Sequence, residues 1–124
     1  MAEYAVHLLG ETDVDAFAVA ILEEAVELRQ AGIAVPILVL EGVGSTEELT
    51  EALALGCWLM LHREADVRRL REARPSAPVT CWLKYDTGMH RLGLDRAATV
   101  KAAEQLSELP HVQRPPTLCT HLAC

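Results

Sequence analysis

The segment from Trp82 to Gly93 carries the residues of this chain that are best suited to chemistry; it reads Trp-Leu-Lys-Tyr-Asp-Thr-Gly-Met-His-Arg-Leu-Gly. An apolar run leads directly into Lys84, Asp86 and Arg91. A buried strand that delivers polar groups to the carboxyl end of a parallel sheet is typical of α/β active sites. Two cations and a carboxylate are costly to bury alone. We therefore expect them to pair with one another, as fixed salt bridges, or with a ligand.

Lys84 is also a candidate for covalent chemistry. A lysine at the carboxyl end of a barrel strand can form a Schiff base once burial has lowered its pKa. The sequence contains only one other lysine, Lys101, which falls within a predicted helix. From chemistry alone, Lys84 is therefore the one Schiff-base candidate in the chain.

Other polar residues have structural interpretations. Asp86 is expected to shape the turn by accepting hydrogen bonds from nearby N–H groups, and His90 to be a solvated loop residue. The isolated position of His121 on an apolar strand is also consistent with a core histidine. No functional signal attaches to the remaining histidines, which are His7, His62 and His111.

The four cysteines show no CxxC spacing, and three of them lie in apolar runs read as strands. Reduced, buried thiols in a cytoplasmic protein are the expected state. Cys119 and His121 would share one strand face, but two residues do not make a metal site. No metal is predicted.

Apolar strands alternate with helices along the whole chain. Strands are predicted over 15–20, 36–40, 57–61, 79–84 and 115–122. Helices are predicted over 2–9, from 21 until Gly32, from the capping box Ser45-Thr-Glu-Glu48 until Gly56, over about 64–74, and from Asp95 to about Leu109. The fourth helix is rich in arginine, interrupted by Glu64, Asp66 and Glu72, and is expected to be an ordinary solvated face.

The spacing of these elements predicts an α/β fold. Intervals of about twenty residues between strands suit βαβ units and a parallel sheet. An open doubly wound sheet and a segment of a (β/α)8 barrel both fit. Neither a phosphate-binding glycine fingerprint nor a strand-order reversal is visible, which favours a partial (β/α)8 TIM-type barrel of about five parallel strands. Because a whole barrel needs roughly 250 residues, the 124-residue chain is expected to be part of a larger protein.

The composition excludes several classes of partner. A formal net charge of −7 argues against nucleic acid and against an anionic membrane surface. No apolar run approaches the length of a membrane span, and the first residues lack the basic start of a signal peptide.

The Trp82–Gly93 motif closely resembles the signature loop of the alanine racemases, which are pyridoxal-phosphate enzymes with an N-terminal barrel and a C-terminal β domain. The likeness extends to Ala16–Ala20 with the helix that follows, to Ile37–Gly42, and to Thr120-His121, which resemble the second, third and sixth strands of that barrel. The resemblance implies that residues 1–124 cover strands two to six of the PLP-binding barrel domain and that the C-terminal β domain is absent.

Three site residues follow from the resemblance, residue by residue. Lys84 matches a lysine that many members carry as a carbamate and that holds a neighbouring arginine by a charge-assisted hydrogen bond. Arg91 matches that arginine, which reaches the phenolic oxygen of the cofactor and lies near the substrate carboxylate. His121 matches a histidine that lines the cofactor pocket. This pattern argues against the Schiff-base role of Lys84, because the family's Schiff-base lysine lies on the first strand.

The resemblance implies an isomerase that interconverts L- and D-alanine and supplies D-alanine for peptidoglycan. It implies a homodimer, in which a tyrosine of the partner's β domain is the second base. Neither that tyrosine nor the first-strand lysine is in this sequence, so no catalytic residue is expected here and the isolated chain is expected to be inactive. Two alternatives remain open: a related serine racemase, and a truncated chain without catalytic function.

Overall fold

The computed structural model describes residues 2–86, 93–113 and 116–120, in which helices and strands alternate. The helices are α1 (Ala2–Glu11), α2 (Leu22–Gln30), α3 (Thr46–Ala54), α4 (Glu64–Glu72) and α5 (Arg96–Ser107). The strands are β1 (Phe17–Val19), β2 (Ile37–Val39), β3 (Trp58–Leu61), β4 (Cys81–Tyr85) and β5 (Thr117–Thr120). Each predicted element exists, and most are shorter at one or both ends than the sequence pattern indicated.

The strands form one parallel sheet in the order β1-β2-β3-β4-β5. A doubly wound sheet would reverse direction where its strand order switches, whereas here each strand pairs with the next one along the chain. The sheet is therefore a curled segment of a (β/α)8 barrel, as the sequence predicted.

The two faces of the sheet bury different residues because side chains alternate along a strand. The outer face packs against the helices and forms the main apolar core, which includes Val39, Leu59, Leu61 and Leu83. The alternate residues form the inner face, in a row across neighbouring strands: Ala18, Leu38, Trp58, Met60, Trp82, Lys84, Thr117 and Cys119.

Carboxylates in the first turn fix the start of three helices. Glu24 accepts from the backbone N–H groups of Ala20 and Ile21 at 3.0 and 3.2 Å. In α3, Ser45 Oγ accepts from the Glu48 N–H at 3.1 Å, while the Glu48 carboxylate accepts from Gly44 N–H at 2.8 Å. The predicted capping box is thus present, with its carboxylate bonded one residue earlier than the motif requires. Asp66 has the equivalent role in α4, as described below.

The prediction that the arginine-rich helix is wholly a solvated face is wrong for two residues. The side chain of Asp66 is only 2% exposed and that of Arg69 is 26% exposed. They form an ion pair at 3.1 Å, and Arg69 Nη1 also donates to the Val43 carbonyl at 3.3 Å. Polar residues can be buried here because each finds a partner. Within the described ranges, no helix is long and apolar enough to cross a membrane.

Candidate functional site at the carboxyl end of the sheet

Lys84 lies on the inner face of the sheet, near the carboxyl end of β4. It is half-buried and pairs in register with Cys119 of β5. The outer-face neighbours Leu83 and Leu118 pair in the same ladder. Strand alternation therefore directs Lys84 toward the concave side of the sheet, which is the interior of a barrel. Among the described residues, no hydrogen bond or ion pair to its side-chain nitrogen is present.

The loop that follows β4 returns to the strand it left. Leu94 donates its backbone N–H to the Lys84 carbonyl at 2.8 Å, and its own carbonyl accepts from the Asp86 N–H at 2.9 Å. Tyr85 and Leu94 form a parallel bridge between these bonds. Both ends of the loop are thus joined beside Lys84. Arg91, the proposed partner of Lys84, lies outside the described residues.

Gly93 is required at the return point of this loop. Its φ of +131° is rarely adopted by residues with a side chain. A Cβ at this position would lie 3.2 Å from the Lys84 Cγ and 3.2 Å from the Asp86 Cβ. The final glycine of the motif therefore lets the backbone pass close to the lysine side chain.

The strand that leads to His121 is joined to the same end of β4. Thr120 Oγ1 donates to the Tyr85 carbonyl at 2.8 Å. His121 itself lies outside the described residues, as do the last residues of the predicted fifth strand. The described part of β5 thus ends beside the last residue of β4.

Two tryptophans line the concave face below Lys84. The rings of Trp58 and Trp82 are stacked, with centroids 6.1 Å apart and planes at 28°. Trp82 Nε1 is buried and has no hydrogen-bond partner among the described residues. A buried indole N–H normally has an acceptor. This face therefore combines a flat aromatic wall with an indole N–H for which the described residues supply no acceptor.

His62, to which the sequence pattern gave no function, lies in this same region. It follows β3 directly and is 3% exposed. In the described part of the chain neither ring nitrogen has a hydrogen-bond partner. Burial lowers the pKa of His62; the Asp66 carboxylate and the backbone of Glu41 oppose that shift, and Arg63 reinforces it. The imidazole is therefore neutral at neutral pH, with one donor and one acceptor nitrogen.

Gly42, at the end of the segment after β2, makes room for this imidazole. A Cβ at Gly42 would lie 2.6 Å from the Met60 carbonyl oxygen, and 3.5 Å from both Cδ2 and Nε2 of His62. A Cβ at position 42 would thus collide with the backbone of β3, and it would fill the space between Gly42 and the ring. In the sequence, only the presence of a glycine shortly after β2 could have signalled this close approach to β3.

Asp66 fixes the backbone that carries His62. Its Oδ2 accepts from the His62 N–H at 2.9 Å and from the Arg63 N–H at 3.1 Å. Its Oδ1 accepts from Arg69 Nη1 at 3.1 Å and lies 3.4 Å from Arg63 Nη2. The carboxylate therefore joins the end of β3 to the first turn of α4.

The cysteine prediction is confirmed for two residues. Cys57 and Cys81 are buried and free. Burial raises the pKa of the Cys81 thiol to about 12, and burial also raises the pKa of Cys57 although Arg29 opposes it. The third strand cysteine, Cys119, is only partly buried. Within residues 2–86, 93–113 and 116–120, no three His, Cys, Asp or Glu side chains are grouped as they would be around a metal.

A separate cleft of about 400 Å³ lies at the opposite end of the sheet. It is bounded by α3, the end of α4 and the residues that lead into β3 and β4, among them Gly56, Pro75 and Thr80. Lys84 and His62 do not line it. Because loops at the amino end of a barrel usually serve stability, we do not assign the site to this cleft.

Comparison with known proteins agrees with the motif and the fold. Residues 1–124 match the family profile described as alanine racemase, N-terminal domain. The chain belongs to this family. An alanine racemase of Xylella fastidiosa (strain Temecula1 / ATCC 700964) is 46% identical over 113 residues, which are 91% of this chain and 31% of that protein. The chain thus spans about a third of the length of this relative.

Solved structures of alanine racemases share the fold. The crystal structure of the biosynthetic alanine racemase from Pseudomonas aeruginosa superposes with a TM-score of 0.90 at 36% identity, covering 99% of this chain and 34% of that one. An alanine racemase of Clostridium difficile 630 in complex with cycloserine gives a TM-score of 0.86 at 28% identity, over 99% of this chain and 34% of that one. The sequential parallel sheet therefore has the fold of one part of these alanine racemase structures.

Proposed function

We propose that the protein is a pyridoxal-phosphate-dependent isomerase that interconverts L- and D-alanine, and that these 124 residues form one wall of its cofactor pocket. The observation that carries the proposal is the position of Lys84. It lies on the concave face at the carboxyl end of the sheet, where the loop bearing the family motif closes through the 2.8 Å bond from Leu94 to the Lys84 carbonyl. Active sites of (β/α)8 enzymes occupy this end.

The described residues fit a cofactor of this chemistry. An aromatic ring with oxygen substituents needs a flat wall and hydrogen-bond donors. The stacked Trp58 and Trp82 provide the first, and Lys84, His62 and Trp82 Nε1 provide nitrogen groups for which the described part of the chain supplies no partner. When bound, pyridoxal phosphate withdraws electrons from the substrate and makes its Cα proton more acidic.

The chain's own residues would hold and orient this site. Lys84, as an amine or a carbamate, would fix the Arg91 guanidinium, and Arg91 would bind the phenolic oxygen of the cofactor and the substrate carboxylate. A planar guanidinium suits two-pronged recognition of oxygens. His121 would line the pocket beside the ring. Bases for the proton transfer are assigned to residues outside this sequence, one of them a tyrosine of the partner subunit in a cytoplasmic homodimer that supplies D-alanine for peptidoglycan.

The test is a racemisation assay on the whole protein and on the 124-residue chain. The whole protein is expected to form D-alanine from L-alanine only when pyridoxal phosphate is present, and to prefer alanine to serine. The 124-residue chain is expected to form D-alanine no faster than free pyridoxal phosphate does, because its two lysines are Lys84 and the helical Lys101. Preference for serine, or no activity in the whole protein, would contradict the proposal.

A further inference from the structure

We infer that His62 is a positioning residue for Lys84: in the assembled site the Lys84 side-chain nitrogen turns to donate a hydrogen bond to Nδ1 of the His62 imidazole, which has no partner among the described residues. The inference extends the proposed function, because it assigns a partner to the lysine that the motif places in the site. It rests on four observations about the described residues: strand register, the contact with Gly42, the anchoring by Asp66 and the unpartnered ring.

Strand register brings the two residues together. Met60 pairs with Trp82 and Leu61 pairs with Leu83, so the next position along β3 is opposite Lys84. Met60 and Trp82 are inner-face residues, and alternation returns His62 and Lys84 to that same face. Directly opposite residues on one face of a sheet are close enough for their side chains to interact.

The imidazole has one edge turned toward Gly42. The Cδ2–Nε2 edge of the ring lies against Gly42, on the β2 side of β3. The opposite edge, which carries Nδ1, therefore faces the β4 side, where Lys84 lies. The backbone of Leu40 and Glu41 is also near the ring and favours its charged form. A proton on Nε2 is consistent with this surrounding and leaves Nδ1 as the acceptor.

A buried imidazole without hydrogen-bond partners is unfavourable, because its nitrogens have lost water and gained nothing in exchange. The backbone of His62 is nevertheless held in this buried position by its N–H bond of 2.9 Å to Asp66. A buried ring on a backbone fixed in this way, on the same sheet face as a lysine whose nitrogen also has no partner in the described part of the chain, indicates a pair that forms in the working site. The Lys84 nitrogen keeps an N–H in both its amine and its carbamate forms, so the bond is available to either.

Nitrogen-15 NMR of the whole protein, without any activity measurement, tests the inference. In wild type, Nδ1 of His62 is expected to be unprotonated and shifted upfield of a free acceptor nitrogen, with Nε2 protonated. Lys84→Met is expected to shift Nδ1 downfield, toward the position of a free acceptor. The matched control is Lys101→Met, since Lys101 lies on the exposed side of α5, and it is expected to leave the His62 signals unchanged.

Two results would overturn the inference: a proton on Nδ1 in wild type, or an Nδ1 resonance that Lys84→Met does not move. If Lys84→Met fails to fold, nuclear Overhauser contacts in wild type between the Lys84 Hε protons and His62 Hε1 decide the question, and their absence counts against the pair. Because these readouts do not depend on racemisation, an inactive protein with the bond present would contradict only the proposed function.

Discussion

Leu94 donates its backbone N–H to the Lys84 carbonyl at 2.8 Å. The loop that leaves β4 therefore returns beside the charged residue near the end of that strand. The two residues are separated in sequence by most of the motif. This bond and the one from the Asp86 N–H to the Leu94 carbonyl anchor both ends of the loop on β4. Changes at either anchor should therefore act on the loop as a whole.

Arg91→Leu in the whole protein is expected to lower kcat/KM for alanine roughly ten- to a hundredfold, because a charge-assisted hydrogen bond in a dry site contributes about 1.5–3 kcal/mol. Steady-state kinetics in both directions measure the effect. Arg68→Leu, on the exposed face of α4, is the control and should retain wild-type kinetics. Unchanged kinetics in Arg91→Leu would show that the motif does not have the proposed role.

Gly93→Ala is expected to reduce the free energy of unfolding by about 1–3 kcal/mol, since the residue has φ +131° and its new Cβ would press on Lys84 and Asp86 at 3.2 Å. Denaturant unfolding measures this. In contrast, Gly10→Ala lies in α1 with open space around the new methyl group, and is expected to raise stability by up to about 1 kcal/mol. Equal effects of the two substitutions would argue against strain at Gly93.

Asp66→Ala is expected to lower the free energy of unfolding by about 1.5–3 kcal/mol, because it removes the buried acceptor for the His62 and Arg63 N–H groups and the ion-pair partner of Arg69. Glu64→Ala, two residues earlier in α4 and exposed, should change stability by less than about 0.5 kcal/mol. Urea titration of both variants checks the difference. If Asp66→Ala loses no more unfolding free energy than Glu64→Ala, water replaces the carboxylate as the acceptor for these N–H groups.

The loss of stability at alkaline pH should depend on ionisation of the buried Cys81 thiol. Its pKa is raised from 9.0 to about 12 by burial, so between those pH values the unfolded chain loses a proton that the folded chain keeps. The stability that depends on the protonated thiol is complete below pH 9 and is lost as pH rises toward 12, by up to about 1.4 kcal/mol per pH unit.

Replacement of Cys81 by alanine should therefore flatten the alkaline slope of the unfolding free energy. Val79→Ala, which truncates a buried apolar neighbour in sequence, is the control: it should lower stability at every pH and keep the wild-type slope. An unaltered slope in Cys81→Ala would show that this thiol is not protected from ionisation.

The sequence by itself determined the alternation of elements, the parallel sheet and the family motif, because these depend on local periodicity and on residues close together in the chain. The apolar run before Lys84 was enough to place that residue at the carboxyl end of a strand. Asp95 as the N-cap of α5 was equally local, and its Oδ1 accepts from the Ala98 N–H at 2.8 Å. Element ends were less well determined, since pairing with neighbouring strands decides where a strand stops.

Only the tertiary structure decided the roles of His62 and Asp66. A histidine after an apolar strand and an aspartate in an arginine-rich helix look like surface residues when each is read alone. Burial of His62 depends on Gly42, twenty residues away in the chain, and on the packing of β2 against β3. The bonds of Asp66 to Arg69 and to the His62 N–H are local to the first turn of α4, but Arg69 also donates to the Val43 carbonyl, 26 residues away in the chain. The approach of Gly42 to Met60 and the bond from Arg69 to Val43 join residues with no periodic relation in sequence, and so they become visible only when the strands are side by side.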